Sequence, residues 1–162
     1  MKDEASHQPV LFEAIRSTTG NILELGAGYS STEQIHKMAG DRLIVTVDDH
    51  MEWLDNFKHL ETDKHRFVLL SDDLFKRIGY QWSVVLVDLF TWEQRMWAID
   101  KIKDKADYVV IHDAEGKNLG RFFKYSREYA LAAYPQYPCV LLGSNKYPVD
   151  SFNIEGMYVV KQ

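Results

Sequence analysis

The chain has 162 residues, of which 46% are hydrophobic, so it is long and apolar enough to form the core of a single domain over residues 1–162. Its 24 acidic and 19 basic residues give a formal net charge of −5, which argues against a protein that binds the phosphate backbone of a nucleic acid. The single cysteine, Cys139, excludes an internal disulfide and a cysteine-based metal site, and it favours a reducing, cytoplasmic compartment. The polar N-terminus and the lack of a long apolar run predict no signal peptide and no membrane segment.

Short apolar runs recur along the chain and predict the strands of a sheet. They are rich in Val, Ile and Leu and mostly continuous, as expected for parallel strands that are covered by helices on both faces. There are seven of them: Ile22–Leu25, Leu43–Val47, Phe67–Leu70, Val84–Val87, Tyr108–Ile111, Val140–Leu142 and Met157–Val160.

Helical patterns precede the first run and fill the intervals that follow. Val10–Ser17 predicts a helix, and the next helix has a candidate capping box from Ser30 to Glu33 and a stop at Gly40. Further apolar faces at helical spacing lie between Trp53 and Leu60, Trp92 and Ile99, and Leu119 and Ala133.

The alternation of strands and helices predicts a doubly wound, mostly parallel α/β sheet. Only about ten residues separate the last two runs, whereas a parallel crossover needs about a dozen or more. We therefore expect Val140–Leu142 and Met157–Val160 to form an antiparallel hairpin at the end of a seven-stranded sheet.

Acidic residues follow four consecutive predicted strands. Ligands of open α/β sheets bind outside the carboxyl ends of the strands, so acids at four such ends indicate a common ligand, although an acid there can instead cap the next helix. The residues are Asp48 and Asp49 after the second run, Asp72 and Asp73 after the third, Asp88 after the fourth, and His112 and Asp113 after the fifth.

The first strand–helix junction reads Glu24-Leu25-Gly26-Ala27-Gly28-Tyr29-Ser30-Ser31. Its two glycines permit a tight turn and a close approach of a ligand to the backbone. Asp48, 22 residues after Gly26, fits the residue that binds a ribose at the end of the second strand. A dinucleotide fingerprint would have a third glycine near Ser31.

Residues 21–31, together with Val45-Thr46-Val47-Asp48, resemble the first two motifs of class I S-adenosylmethionine (SAM)-dependent methyltransferases. The resemblance extends over the whole chain, because that Rossmann-like fold has a seven-stranded sheet whose last strand is antiparallel. It implies SAM as the cofactor and S-adenosylhomocysteine (SAH) as its product.

The resemblance also implies roles for individual residues. Gly26, Ala27 and Gly28 would line the methionine part of SAM, with Glu24 near its amino group. Asp48 would hold the ribose, Asp72 would lie near the adenine amine, and Asp88 beside the transferring methyl group. Tyr29 stands where many members carry a small residue. The implied cofactor-binding set is Glu24, Gly26, Ala27, Gly28, Tyr29, Ser30, Asp48, Asp49, Asp72 and Asp88.

The residues after the fourth and fifth strands bear on the kind of methyl acceptor and on whether a metal is bound. Asp88-Leu89-Phe90-Thr91-Trp92 lacks the Asn/Asp-Pro-Pro-Tyr motif with which related DNA enzymes hold a flipped base. Some small-molecule O-methyltransferases of this fold hold Mg²⁺ with acids at these strand ends, but their Asp-Asn pair is replaced here by Asp113-Ala114. The sequence therefore favours a site without metal over one with Mg²⁺.

We predict Asp88, His112 and Asp113 as the catalytic residues. Adjacent strands lie about 4.8 Å apart, so the three side chains should converge. Two carboxylates this close need a cation or a proton between them, which either Mg²⁺ or a protonated His112 can supply. Without metal, His112 would carry the positive charge or act as a base.

The function predicted from these features is methyl transfer from SAM to a small-molecule acceptor, with an oxygen acceptor favoured. Nucleic acid and membranes are disfavoured as partners, and a homo-oligomer is compatible with the sequence. One alternative is a module that binds SAM or SAH without methyl transfer. Another is an NAD-linked enzyme, which Glu24 and the missing third glycine make less favourable.

Overall fold

The computed structural model describes residues 5–79, 81–114, 130–135, 137–144 and 146–160. Within these ranges the α-helices are α1 (Gln8–Arg16), α2 (Thr32–Ala39), α3 (Met51–Asp55), α4 (Leu74–Arg77) and α5 (Trp92–Ile102), with a short 3-10 helix at Lys58–Leu60. The strands are β1 (Asn21–Leu25), β2 (Ile44–Asp48), β3 (His65–Leu69), β4 (Trp82–Val87), β5 (Ala106–Ile111), β6 (Ala130–Tyr134), β7 (Val140–Ser144) and β8 (Tyr158–Val160).

The strands form one sheet in the order β3-β2-β1-β4-β5-β7-β6-β8. Strands β1 to β5 pair in parallel, whereas β7 is antiparallel to both β5 and β6, and β8 is antiparallel to β6. The predicted mostly parallel α/β sheet is confirmed. The strand order reverses between β1 and β4, which places the open crevice for a ligand at their carboxyl ends.

The C-terminal part of the sheet differs from the prediction in two ways. The sheet has eight strands among the described residues, because β6 (Ala130–Tyr134) is a strand where helical spacing had been predicted up to Ala133. Its Ala- and Leu-rich sequence favours a helix locally, and pairing with strands on both sides overrides that preference. The expected antiparallel strands at the C-terminal end of the sheet are confirmed, but their pairing differs from the prediction, since β7 and β8 each pair with β6 and not with each other. The start of that predicted helix, residues 119–129, lies outside the described residues.

Apolar side chains pack in two layers, one on each face of the sheet. Helices α1 and α2 cover one face with side chains such as Leu11 and Ile35. Helices α4 and α5 cover the other with side chains such as Phe75 and Ile99. No helix within the described ranges is long and apolar enough to cross a membrane.

Helix ends determine where the loops near the crevice begin. The predicted stop of α2 at Gly40 is confirmed, with φ at 61°. The predicted capping box from Ser30 to Glu33 is wrong, because α2 begins after Ser31 and no side chain caps it. A capping box does occur at α5, where Thr91 and Gln94 exchange hydrogen bonds.

Candidate active site

The turn after β1 depends on Gly26. Its φ is 101°, and a Cβ atom added there would lie 2.2 Å from the backbone oxygen of Asp88. Only glycine therefore lets this turn lie against the end of β4. Gly28 is different, because a Cβ atom there would meet only Ser31 Oγ, at 3.4 Å. The packing of the turn thus requires glycine at position 26, whereas it leaves room for a side chain at Gly28.

Glu24 lies beneath the turn and has no solvent exposure. Its Oε1 accepts hydrogen bonds from Ser31 Oγ at 2.6 Å and Thr32 Oγ1 at 3.1 Å, and its Oε2 accepts one from Thr46 Oγ1 at 2.8 Å. Burial raises the pKa of Glu24 to about 7, although the three hydroxyl groups act in the opposite direction. That Glu24 lies near the amino group of the cofactor stays a prediction. The carboxyl group supports the turn from inside the protein.

Two histidines extend this buried network away from the turn. Thr46 Oγ1 lies 2.9 Å from His65 Nε2, and His65 Nδ1 lies 2.9 Å from Nδ1 of the half-buried His36. Burial, with the neighbouring His36, lowers the pKa of His65 to about 4. A chain of hydrogen bonds therefore connects Glu24 to the outer side of α2.

Asp48 joins the turn to the end of β2. Its Oδ2 accepts a hydrogen bond from the Ala27 amide at 3.0 Å, and its Oδ1 accepts one from the His50 amide at 3.1 Å. Burial raises the pKa of Asp48. Each carboxylate oxygen retains a lone pair, so Asp48 can accept further hydrogen bonds from a ligand. The neighbouring Asp49 is held by Gln94 Nε2, at 2.8 Å, and by His50 Nδ1, at 2.6 Å.

A cavity of about 400 Å³ opens at these strand ends. This volume is within the usual range for sites that bind small molecules. Of the predicted cofactor-binding residues, four contribute to its wall. The residues that line it are Ala27, Asp48, Asp49, His50, Glu52, Trp53, Asp88 and Phe90.

Aromatic side chains form one rim of the cavity. Trp53 Nε1 donates a hydrogen bond to the Ala27 carbonyl at 2.7 Å, which ties α3 to the glycine turn. Tyr29, which is 64% exposed, packs edge-on against Trp53 and also contacts Phe57. Phe90 is 86% exposed. Tyr29 therefore supports the wall behind Trp53 and is not itself part of the lining.

Two other predicted residues lie outside this lining. Asp72 is exposed in the turn after β3, so its contact with adenine stays a prediction. Ser30 is half-buried, and its carbonyl accepts a hydrogen bond from Gln8 Nε2 at 2.7 Å.

The three predicted catalytic residues converge, as the strand register required. His112 Nδ1 lies 3.2 Å from Asp88 Oδ1 and 3.8 Å from Asp113 Oδ1. Burial by itself would lower the pKa of His112, but the hydrogen bond with Asp88 and the charges of Asp88 and Asp113 raise it. We call the cluster formed by Asp88, His112, Asp113 and Arg95 the acid corner.

Arg95, from α5, supplies the cation that the sequence analysis had assigned to Mg²⁺ or to His112. Its Nη2 lies 3.0 Å from Asp88 Oδ1 and 3.0 Å from Asp113 Oδ2. Its other nitrogens donate to the carbonyl groups of Leu89 and His112, at 2.5 and 2.6 Å. The side chain is almost fully buried. Sequence reasoning missed Arg95, although a charged residue on the otherwise apolar face of α5 was an available signal.

The side chains of Asp88, His112 and Asp113 in the acid corner are not arranged to bind Mg²⁺. The position between Asp88 and Asp113 is filled by the Arg95 guanidinium, which cannot lose its proton. His112 also directs both ring nitrogens to neighbours, Nδ1 to Asp88 and Nε2 to Ser6 Oγ at 3.0 Å. The charge balance of this corner is therefore met by the chain itself.

Comparison with solved structures places this fold among methyltransferases. The chain is similar to a TehB-like SAM-dependent methyltransferase from Corynebacterium glutamicum, with a TM-score of 0.60, 16% identity, and coverage of 87% of this chain and 86% of the other. It is similar to an rRNA methylase from Streptococcus thermophilus, with a TM-score of 0.63, 14% identity, and coverage of 91% and 99%. It is also similar to the N-methyltransferase NodS from Bradyrhizobium japonicum in complex with SAH, with a TM-score of 0.54, 14% identity, and coverage of 85% and 83%.

No protein-family model matches the sequence, and no curated protein matches it. The likeness therefore lies in the fold, which this chain shares with these methyltransferases.

Proposed function

We propose that this protein binds SAM in the cavity at the carboxyl ends of β1, β2 and β4 and transfers its methyl group to a small-molecule acceptor. The observation that carries the proposal is this cavity of about 400 Å³, whose wall combines Ala27 of the glycine turn with Asp48 and Asp88. The fold shared with SAM-dependent methyltransferases supports the same assignment.

The residues of the cavity fit the groups of such a cofactor. Asp48 has carboxylate lone pairs available for ribose hydroxyls, and the Ala27 backbone and Trp53 provide a wall beside it. Asp88, also in the lining, offers a negative charge for an ammonium group. When bound, SAM supplies a methyl group that is already activated, so the protein has mainly to align the acceptor.

The charge of the cavity favours a small acceptor with a hydroxyl group over a nucleic acid. The described lining includes four acidic residues and neither lysine nor arginine, which disfavours phosphate groups. The Asp88 side chain is 26% exposed and can accept a hydrogen bond from a hydroxyl group.

The test is SAH formation from SAM, measured with a panel of small hydroxyl compounds and, separately, with RNA. We expect SAH to form with hydroxyl compounds only, and Asp88→Asn to reduce the rate strongly. Asp55→Asn is the matched control, because Asp55 is an exposed helical acid paired with Lys58. SAM binding without turnover on any acceptor, or turnover with RNA alone, would contradict the proposal.

A further inference from the structure

The side chain of Ser6 lies behind the acid corner and is 1% exposed. Its hydroxyl oxygen is 2.6 Å from the carbonyl oxygen of Pro138 and 3.0 Å from His112 Nε2. A hydroxyl group has one proton, and a carbonyl oxygen can only accept a hydrogen bond. The bond to Pro138 therefore uses the Ser6 proton. It follows that Ser6 Oγ accepts from His112, and that Nε2 of His112 carries a proton.

The other ring nitrogen then faces a carboxylate. With Nε2 protonated, a neutral ring would direct the lone pair of Nδ1 at Asp88 Oδ1, 3.2 Å away. A second proton on Nδ1 turns this repulsion into a charged hydrogen bond. The ring is thus an imidazolium that donates to Ser6 on one side and to Asp88 on the other.

Of the other charged groups near the ring, Asp113 favours that charge and the Arg95 guanidinium opposes it. Asp113 lies 3.8 Å from Nδ1, and Arg95 donates to the His112 carbonyl and to both carboxylates. The ring of His7 packs edge-on at 4.8 Å. Asp88 and Asp113 carry two negative charges and Arg95 one positive charge, so an imidazolium at His112 makes these four residues neutral.

We propose that Ser6 is a positioning residue, which keeps a proton on His112 Nε2 and so holds the ring as an imidazolium that faces Asp88. The role of this imidazolium in catalysis rests on the proposed function. His112 then provides a fixed positive charge and does not take the proton of the acceptor. Asp88 remains the member of the acid corner that lines the cavity and meets the acceptor.

The direct test is a ¹⁵N NMR titration of the His112 ring in the full chain, assigned by comparison with His112→Gln. In the unsubstituted protein we expect Nε2 to stay protonated throughout, and the proton lost as the pH rises to leave Nδ1. A ring that keeps its proton on Nδ1 and loses it from Nε2 would overturn the proposal. This measurement needs no variant of Ser6.

Ser6→Ala removes the acceptor for Nε2. We expect the neutral ring to change its tautomer, with the proton on Nδ1, and the titration midpoint to fall by about one pH unit or more, because a buried charged donor loses its partner. Ser151→Ala is the matched control, since Ser151 Oγ also donates to a proline carbonyl, that of Pro148, from an exposed position. An unchanged tautomer and midpoint in a folded Ser6→Ala variant would overturn the proposal.

These readouts are independent of SAM and of turnover. A protein that binds no SAM would disprove the proposed function and leave the titration of His112 as it is. Where turnover is measured, we expect the rate to fall as the pH rises through the His112 titration. A rate that rises through the same range would identify His112 as a base and overturn the proposal.

Discussion

Two ionisable groups on neighbouring strands, one enclosed and one partly exposed, are stabilised in different ways. Glu24, in β1, is surrounded by neutral hydroxyl groups, and burial raises its pKa to about 7. Asp88, at the end of the adjacent β4, faces the cavity and is bonded to Arg95 and His112. The hydroxyl groups partly replace water around Glu24, whereas Asp88 is held by the positive charge of Arg95 and by the His112 ring.

This difference separates an enclosed group that supports the turn from a group that lines the cavity. Glu24 is enclosed, and its partners on α2 and β2 hold the shape of the glycine turn. Asp88 keeps part of its side chain exposed, with its charge fixed by neighbours. The carboxylate that faces the cavity thus has charged partners behind it, whereas the enclosed carboxyl group has only hydroxyl partners.

The largest effect is expected from Arg95→Met, which removes the cation between Asp88 and Asp113. Breaking a buried ion pair leaves uncompensated charge, so we expect the free energy of unfolding to fall by about 3–5 kcal/mol. Arg16→Met is the control, because Arg16 is an exposed side chain 3.4 Å from Glu13, and a change within about 0.5 kcal/mol is expected there. Urea denaturation measures both. Equal losses in the two variants would contradict the role assigned to Arg95.

The next largest effect is a pH dependence that comes from Glu24. Its pKa rises from 4.5 to about 7 on folding, so its contribution to stability is complete below about pH 4.5 and is lost as the pH rises to about 7. The loss amounts to about 3 kcal/mol, at 1.36 kcal/mol per pH unit. Glu24→Gln cannot ionise, so the difference in unfolding free energy between the unsubstituted protein and this variant should change by that amount between about pH 4 and pH 8.

His65 changes the pH dependence of the unfolding free energy in the opposite direction to Glu24. Its effect cancels when the variant Glu24→Gln is compared with the unsubstituted protein. Its lowered pKa gives a contribution that is present above its ordinary value of 6.5 and is lost as the pH falls towards 4. This contribution is shared by the unsubstituted protein and Glu24→Gln. Glu13→Gln, in an exposed part of α1, should show no such difference. A difference that is constant with pH would show that Glu24 does not resist ionisation.

A smaller effect is expected where the two regions touch, at Gly26. Gly26→Ala would place a methyl group 2.2 Å from the Asp88 backbone oxygen, at a φ of 101°. We expect a loss of about 2 kcal/mol or more in the free energy of unfolding. Gly156→Ala separates the two causes, because Gly156 also has a positive φ, at 84°, but nothing within 4 Å of the added atom. We expect only about 1 kcal/mol there, and equal losses would show that the close approach has no energetic importance.

Parts of the fold and site that depend on local sequence could be predicted. Buried parallel strands are continuous apolar runs, so β1 to β5 were evident, and residues at their carboxyl ends had to meet. The meeting of Asp88 with His112 and Asp113 follows from that register. The enclosure of Glu24 was accessible in part, because it lies between Leu23 and Leu25 and therefore points to the opposite face of the sheet.

Parts that depend on tertiary packing could not be predicted in the same way. Arg95 reaches the acid corner from a helix and Ser6 from the segment before α1, and no spacing rule connects either residue to β4 or β5. The strand β6 has a helix-favouring sequence that becomes extended only by pairing with β7 and β8.

The central claim, that the cavity beside Asp48 binds SAM, is tested most directly by calorimetric titration of the protein with SAM, SAH and NADH. We expect saturable binding of SAM and SAH, no binding of NADH, and at least about tenfold weaker binding of SAM to Asp48→Ala, because charged hydrogen bonds to the ribose are lost. Asp63→Ala, at an exposed residue outside the cavity, should bind as the unsubstituted protein does. Binding of NADH in place of SAM, or SAM affinity that is unchanged in Asp48→Ala, would contradict the account.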